Sequence, residues 1–265
     1  MDKHIVEKYL SGKRSFDIRC FDVIDSTNTA LKAEGAKGAK EGTVIIADSQ
    51  TMGRGRLGRR FESPTGTGIY MSILLRPKFN PEEALKITTG AAVAIATAIE
   101  DVSGEDTKIK WVNDIYMRER KVCGILAESS LNFETKSFEY CVLGIGINVK
   151  APEGGFPEEI KDIAGAVFEE DIPEDAREKI VAKVLDNFFN FYEKMPSDDY
   201  IEDYRCRSLL TGREVTYINN LTGLEESGIA VDVDKDCHLL VKLTDGSIKA
   251  FSTGEVNLKK TFLKR

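Results

Sequence analysis

Residues 43–61 read Thr-Val-Ile-Ile-Ala-Asp-Ser-Gln-Thr-Met-Gly-Arg-Gly-Arg-Leu-Gly-Arg-Arg-Phe. The β-branched run Thr43–Ala47 has the length and composition of a buried strand. Directly after it, Arg54, Arg56, Arg59 and Arg60 share eight positions with Gly53, Gly55 and Gly58. Glycine lets backbone approach a ligand closely, and arginine presents planar, permanently charged forks that match phosphate and carboxylate oxygens. The chain carries a formal net charge of −7, so this cationic island runs against its composition. Two readings stay open here: a loop that holds a small anion, and an Arg-rich turn that is solvated or meets nucleic acid without specificity. No Gly-Lys-Ser or Gly-Lys-Thr follows, which excludes a P-loop. Arginines stand where a dinucleotide-binding fingerprint needs small residues.

Outward from this loop, Phe16–Ile24 alternates as a strand, and Asp25-Ser26-Thr27-Asn28 has the side chains of a helix start, with Thr29–Lys37 following as the helix. Gly68–Leu75 reads as a strand and Pro81–Val102 as an Ala-rich helix. Three strand-like runs come next, Thr107–Met117, Lys121–Ser130 and Phe138–Val149, with a hairpin turn at Arg118–Arg120. Ala151–Asp171 is an acidic loop, Pro173–Lys194 a long amphipathic helix and Asp198–Arg207 a shorter one. Beyond Leu210 the runs Glu214–Asn219, Gly228–Val233, Leu239–Leu243 and Ser247–Ser252 are divided by Asn-Asn, Asp-Lys-Asp and Asp-Gly turns, the pattern of a small β-barrel. The expected class is α+β, with a catalytic-size domain over 1–207 and a β-domain over 208–265.

At 265 residues and 42% hydrophobic, the chain has ample material for one large core and a small second one. No apolar stretch approaches a membrane span, and Met1–Arg14 is too polar for a signal peptide. The five cysteines are scattered without a C-x-x-C pair and the two histidines lie far apart, so neither a metal centre nor a disulfide framework is expected. A reducing cytoplasm fits this usage.

Two further segments carry polar groups in apolar surroundings. In Lys110-Trp111-Val112-Asn113-Asp114, a continuous strand would point Lys110, Val112 and Asp114 one way and Trp111 and Asn113 the other. The alternatives are a strand-edge salt bridge and an additional cation facing the arginine loop. In Gly144-Ile145-Gly146-Ile147-Asn148-Val149, paired glycines mark close approach by a ligand or by another chain segment, and a simple bulge remains an alternative.

Taken in order, Ser26-Thr27-Asn28, Gln50-x-x-Gly-Arg-Gly-Arg-x-Gly-Arg, Lys-Trp-x-Asn-Asp, Arg-Lys-x-x-Gly-Ile-Leu and Gly-Ile-Asn-Val resemble the biotin protein ligases, also called biotin–[acetyl-CoA-carboxylase] ligases. The resemblance runs from about Phe16 to Lys259. It implies a class II synthetase-like α+β fold, a mixed, largely antiparallel sheet flanked by helices, with a C-terminal SH3-like barrel. It implies ATP-dependent formation of biotinyl-5′-AMP, with Mg2+ accompanying ATP, then transfer of biotin to a lysine of a biotin carboxyl carrier protein. By the same resemblance, Ser26, Thr27, Asn28, Gln50, Arg54, Gly55, Arg56 and Lys121 bind biotin. Gly53, Arg56, Phe61, Trp111, Asn113 and Asn148 attend the nucleotide. Arg54, Arg56, Lys121 and Asp114 are the implied catalytic groups, with Asp114 orienting or deprotonating the carrier lysine.

The chain departs from the family pattern at Val112, where proline is usual, and at Phe61, where tryptophan is usual. Lipoate–protein ligases share the implied fold, but their Arg-Arg-x-x-Gly-Gly-Gly and Val-x-His-Asp segments are absent from this sequence. A nucleic-acid clamp built from the four arginines is opposed by the acidic balance and by the lack of interleaved aromatics. Met1–Arg14 is too short for a helix-turn-helix, so operator binding is not expected. Monomer and homodimer are both compatible with the sequence, and edge strands within Thr107–Val149 are expected to serve a second copy or the carrier.

Overall fold

A computed structural model of the chain describes residues 1–219 and 222–258. Asn220 of the expected Asn-Asn turn and residues 259–265 of the expected second domain lie outside the described residues. Helix α1 (Lys3–Tyr9) precedes a β-α-β unit of β1 (Asp17–Ile24), α2 (Thr27–Ala36) and β2 (Thr43–Gln50). β1 and β2 run parallel, with Ile18 opposite Val44 and Ile24 opposite Gln50. β3 (Gly68–Leu75) pairs antiparallel with β2. A single 3-10 turn at Pro81–Glu83, capped by the Asn80 side chain, leads into α3 (Leu85–Ser103). That helix stops at Gly104, whose φ of 75° suits a residue without a Cβ. Then follow β4 (Lys108–Lys110), β5 (Asp114–Met117), β6 (Arg120–Asn132) and β7 (Ser137–Asn148). Helices α4 (Ala176–Tyr192) and α5 (Ile201–Cys206) connect to β8 (Glu214–Ile218), β9 (Glu225–Val233), β10 (Leu239–Leu243), β11 (Ile248–Phe251) and β12 (Glu255–Leu258).

The first seven strands form one sheet in the order β1-β2-β3-β7-β6-β5-β4, antiparallel apart from the β1–β2 pair. Its two faces bury separate cores, as the period of two requires. Val44 and Ile46 of β2 join the larger cluster with α3 and α4, while Ile45 joins Leu31 of α2, Leu74, Tyr140 and Val142 on the other face. β8–β12 form a five-stranded antiparallel sheet in the order β11-β10-β9-β8-β12. Among the described residues β11 and β12 are its two edges.

The expectation of one strand over Thr107–Met117 is corrected: the chain turns at Trp111–Asn113, and β4 and β5 pair with each other, Lys110 opposite Asp114. The side chains of the turn have remote partners that a strand would deny them. The Trp111 indole donates to the Cys237 carbonyl at 2.9 Å, and the Asn113 amide donates to the Ile125 carbonyl at 2.9 Å. The grouping of Lys110, Val112 and Asp114 on one strand face is therefore replaced by Lys110 and Asp114 meeting across a turn. β12 was not expected from sequence. It places Gly254 and Glu255 against the arginine loop and so builds the second sheet into the site described next.

Candidate active site

The motifs converge at the ends of β1 and β2 over the middle of β6 and β7. Ser26 caps α2, its hydroxyl accepting from the Thr29 amide at 3.5 Å, as the local chemistry predicts. Ser26, Thr27 and Asn28 are buried. Gln50 ends β2, and its side-chain oxygen accepts from the Thr27 amide at 2.9 Å. Ser72 of β3 donates within hydrogen-bonding distance of both the Thr27 hydroxyl (2.8 Å) and the Asn28 carbonyl oxygen (2.6 Å). These polar groups are fixed by one another, which keeps their burial from being costly.

The arginine loop is a short hairpin. The Phe61 amide donates to the Gly53 carbonyl (3.0 Å), Arg54 bridges Arg60, and the Gly55 amide donates to the Arg59 carbonyl (2.7 Å). Its tip is a single 3-10 turn, Arg56–Gly58, in which Leu57 takes a left-handed φ of 56°. Each arginine has a different anchor. Arg54 pairs with Glu128 at 3.0 Å and Arg59 with Glu255 at 2.7 Å. Arg56 donates to Asn113 Oδ1 (2.8 Å) and to the Gly254 carbonyl (3.1 Å), and Arg60 to the Thr51 carbonyl (3.0 Å). One loop thereby ties α2's pocket, the 111–113 turn and the second sheet together.

The glycines of β7 are explained by approach of other chain segments. A Cβ on Gly144 would lie 2.1 Å from Asn28 Oδ1, and one on Gly146 would lie 2.6 Å from the Phe61 ring. Lys121 reaches the same face through a β-bulge. Ile115 pairs with Cys123 but Tyr116 pairs with Lys121, leaving Val122 as the extra residue. Lys121 and Gly124 are three apart and would face opposite ways on a regular strand, yet both line the cavity. The bulge re-aims the lysine. Its ammonium lies 2.7 Å from Asp114 Oδ1, forming an ion pair at the cavity wall.

Arg54, Arg56, Arg59, Arg60, Lys110 and Lys121 line this cavity against the carboxylates of Asp114 and Glu255. In an acidic chain, such a concentration of cations is the arrangement that attracts and holds a polyanion. The Lys110 ammonium has no hydrogen bond or ion pair among the described residues, and its pKa is lowered from 10.5, chiefly by burial, with Lys121 and Arg59 lowering it further and Asp114 and Glu255 opposing. The additional-cation reading of Lys110 thus has a geometric basis in its place on the wall.

Of the residues singled out from sequence, Ser26, Thr27, Asn28, Gln50, Arg54, Gly55, Arg56, Phe61, Trp111, Asn113, Asp114 and Lys121 line this one cavity. Gly53 supports it from behind: a Cβ there would come within 2.3 Å of the Phe61 carbonyl. Asn148 stands apart, lining a second concavity with Glu62, Pro64 and Thr67 and donating to the Gly165 carbonyl at 3.0 Å. Sequence reading missed Glu128, Ser72 and the β12 residues. Glu128 and Ser72 read as ordinary strand positions, and only their partners reveal them.

Comparison with known proteins places the chain in a family. Residues 20–148 match the biotin/lipoate A/B protein ligase family, and residues 212–259 match the biotin protein ligase C-terminal domain. The chain is 34% identical over 237 residues to the bifunctional ligase/repressor BirA of Bacillus subtilis, covering 87% of this chain and 71% of that protein. It is 32% identical over 253 residues to the biotin–[acetyl-CoA-carboxylase] ligase of Mycobacterium tuberculosis, covering 93% and 90%. Among solved structures, the biotin protein ligase of Aquifex aeolicus in complex with biotin and ATP superposes with a TM-score of 0.73 at 30% identity, covering 92% of this chain and 98% of that one.

Proposed function

The chain belongs to the biotin protein ligase family, and from that premise we propose how its residues divide the two steps of biotin transfer. It is an ATP-dependent biotin–protein ligase, with biotin and ATP as substrates and a biotin carboxyl carrier protein as acceptor. In the first step a biotin carboxylate oxygen attacks the α-phosphorus of ATP, the α–β anhydride bond breaks, and pyrophosphate leaves. In the second step the carrier lysine amine attacks the acyl carbon of biotinyl-5′-AMP, an amide forms, and AMP leaves with the bonding pair. The observation that carries the assignment is the convergence of the buried Ser26–Asn28 cluster with six cations around one cavity.

Step one brings two anions together, so the site must neutralise charge before bonds change. Arg54, Arg56 and Lys121 are assigned that work, each charged hydrogen bond contributing about 1.5–3 kcal/mol. Ser26, Thr27, Asn28 and Gln50 are assigned to the ureido head, whose donors and acceptors need matching buried partners. Gly53, Phe61, Trp111, Asn113 and Asn148 are assigned to the nucleotide; for Asn148, which lines the second concavity, this rests on the motif alone. Asp114 and Glu255 are the carboxylates on the wall, the donor type Mg2+ prefers. Mg2+ held beside them would offset phosphate charge as ATP binds.

Asp114 is assigned to the second step. Its ion pair with Lys121 keeps a carboxylate at the wall where the carrier amine must lose a proton. Asp114→Asn keeps the shape and removes the base. Biotinyl-AMP formation in single turnover should stay within about threefold, while transfer to the carrier slows by about 10²–10⁴-fold. Equal slowing of both steps contradicts this division.

Residues 1–207 are proposed as the catalytic unit and 208–265 as the unit that completes its wall. Residues 1–16 contain a single helix of seven residues, α1. No helix of the described residues is long and apolar enough to cross a membrane. The free state of all five cysteines is compatible with a cytoplasmic setting. Residues 126–132 of β6 pair only with β7, leaving an unpaired edge beside the exposed Phe133. A second copy and the carrier are proposed to share this edge. Carrier added to a dimer should then shift its elution toward a one-to-one complex in size-exclusion chromatography, and coexistence of dimer and carrier in one larger species contradicts the shared edge.

The functional reading itself is tested by isothermal titration with biotin, then with biotin and a non-hydrolysable ATP analogue. Tight biotin binding that strengthens with the nucleotide is expected. Binding of lipoate in place of biotin overturns the reading.

A further inference from the structure

A carboxylate next to a site for anions needs a reason, because it repels the substrate unless it is itself neutralised. Glu128 of β6 is such a group. Its side chain is 17% exposed, and three donors converge on it: Asn28 Nδ2 at 2.9 Å on one oxygen, Lys32 Nζ at 2.9 Å and Arg54 at 3.0 Å on the other. Burial alone would raise its pKa, but these hydrogen bonds and the charges of Lys32 and Arg54 leave it lowered from 4.5. The cluster of one anion and two cations carries net positive charge, so it does not oppose an incoming carboxylate.

The chemical consequence lies in Asn28. A carboxylate only accepts, so the group facing it must be the amide nitrogen. At the other end of the amide, Oδ1 accepts from Ser72 at 2.6 Å and lies against Gly144. With one N–H of its amide given to Glu128 and the other directed at the Leu126 carbonyl at 3.4 Å, Asn28 has the remaining acceptor capacity of Oδ1 to offer a ligand. An acceptor is what a ureido N–H requires. The same carboxylate also anchors Arg54, through its other oxygen, on the lining of the pocket.

We propose that Glu128 is a positioning residue for biotin recognition, setting the orientation of the Asn28 amide and anchoring Arg54, so that the ureido and carboxylate ends of the substrate are read by one linked network. The inference rests on the biotin ligase reading and deepens it. Glutamine at this position has nearly the same shape but can accept or donate, so it leaves the Asn28 amide free to flip.

Steady-state kinetics of biotin-dependent pyrophosphate–ATP exchange test this. Wild-type exchange that does not depend on biotin would mark failure of the functional reading itself. Given wild-type exchange, Glu128→Gln should raise KM for biotin about tenfold or more while KM for ATP stays within about twofold. Adding Asn28→Asp to Glu128→Gln restores a donor–acceptor pair with the acceptor again facing the ligand, and should recover most of the lost biotin affinity. Parallel rises in both KM values with a lowered Tm, an unchanged KM for biotin, or no recovery in the double variant would overturn the proposal.

Discussion

Lys121→Ala is expected to slow formation of biotinyl-AMP by about 10²–10³-fold, the loss seen when a preorganised donor on developing charge is removed. Three structural features support an effect of this size. The bulge at Val122 directs Lys121 into the cavity, where it shares a wall with Arg56 and Lys110. Its aliphatic stem crosses Gly124, whose added Cβ would sit 3.3 Å from Lys121 Cε, so the stem is confined. Its ammonium also balances Asp114, whose side chain is 19% exposed. Removing the lysine therefore deletes a cation and exposes a carboxylate to the reacting anions, and both changes oppose the attack. Single-turnover quench measurements of adenylate formation check the prediction. Lys121→Arg should retain part of the rate by keeping the charge. Near-normal adenylation in the alanine variant would remove Lys121 from the mechanism.

The second large effect concerns retention rather than rate. Arg56→Gly removes both contacts by which the tip of the arginine hairpin holds Asn113 and the Gly254 carbonyl. Among the described residues, the Arg59–Glu255 ion pair would then be the remaining hydrogen-bonded link from the hairpin to the second sheet. Arg59 is 68% exposed in its side chain, and an exposed pair of this kind contributes about 0–1 kcal/mol. Each charged hydrogen bond lost with Arg56 is worth about 1.5–3 kcal/mol. Escape of biotinyl-AMP should accordingly accelerate by about 10²-fold, as read by release of labelled adenylate from the pre-formed complex. The free mixed anhydride would then acylate exposed lysines of bystander proteins without selection. Unchanged adenylate retention and unchanged selectivity would show that another group closes the site.

Features set by local chemistry were legible in the sequence. The Ser26 cap needs only its own turn, and Gly68–Leu75 was bounded as a strand because its run is apolar apart from Ser72 and ends at Arg76. The anionic preference of the arginine loop was readable from composition, but its pairing as a hairpin was not, since Gly53 and Phe61 meet only after the chain reverses. Features set by remote partners were hidden. The break between β4 and β5 is secured by Trp111 reaching Cys237, 126 residues away. Glu128 has the pattern of a solvated strand residue until α2 and the arginine loop are placed beside it. The direction of Lys121 depends on one extra residue in a ladder, which periodicity does not report. β12 is four residues long and follows a turn at Ser252–Gly254, too little signal to mark the strand that supplies the last wall of the site.

The most direct measurement is exchange of labelled pyrophosphate into ATP by the purified protein, with and without biotin, followed by addition of a biotin carboxyl carrier protein. Exchange that requires biotin, and conversion of the carrier to its biotinylated form with release of AMP, is the result expected of this cavity. Exchange driven by lipoate but not biotin, or no exchange with either, would contradict the account.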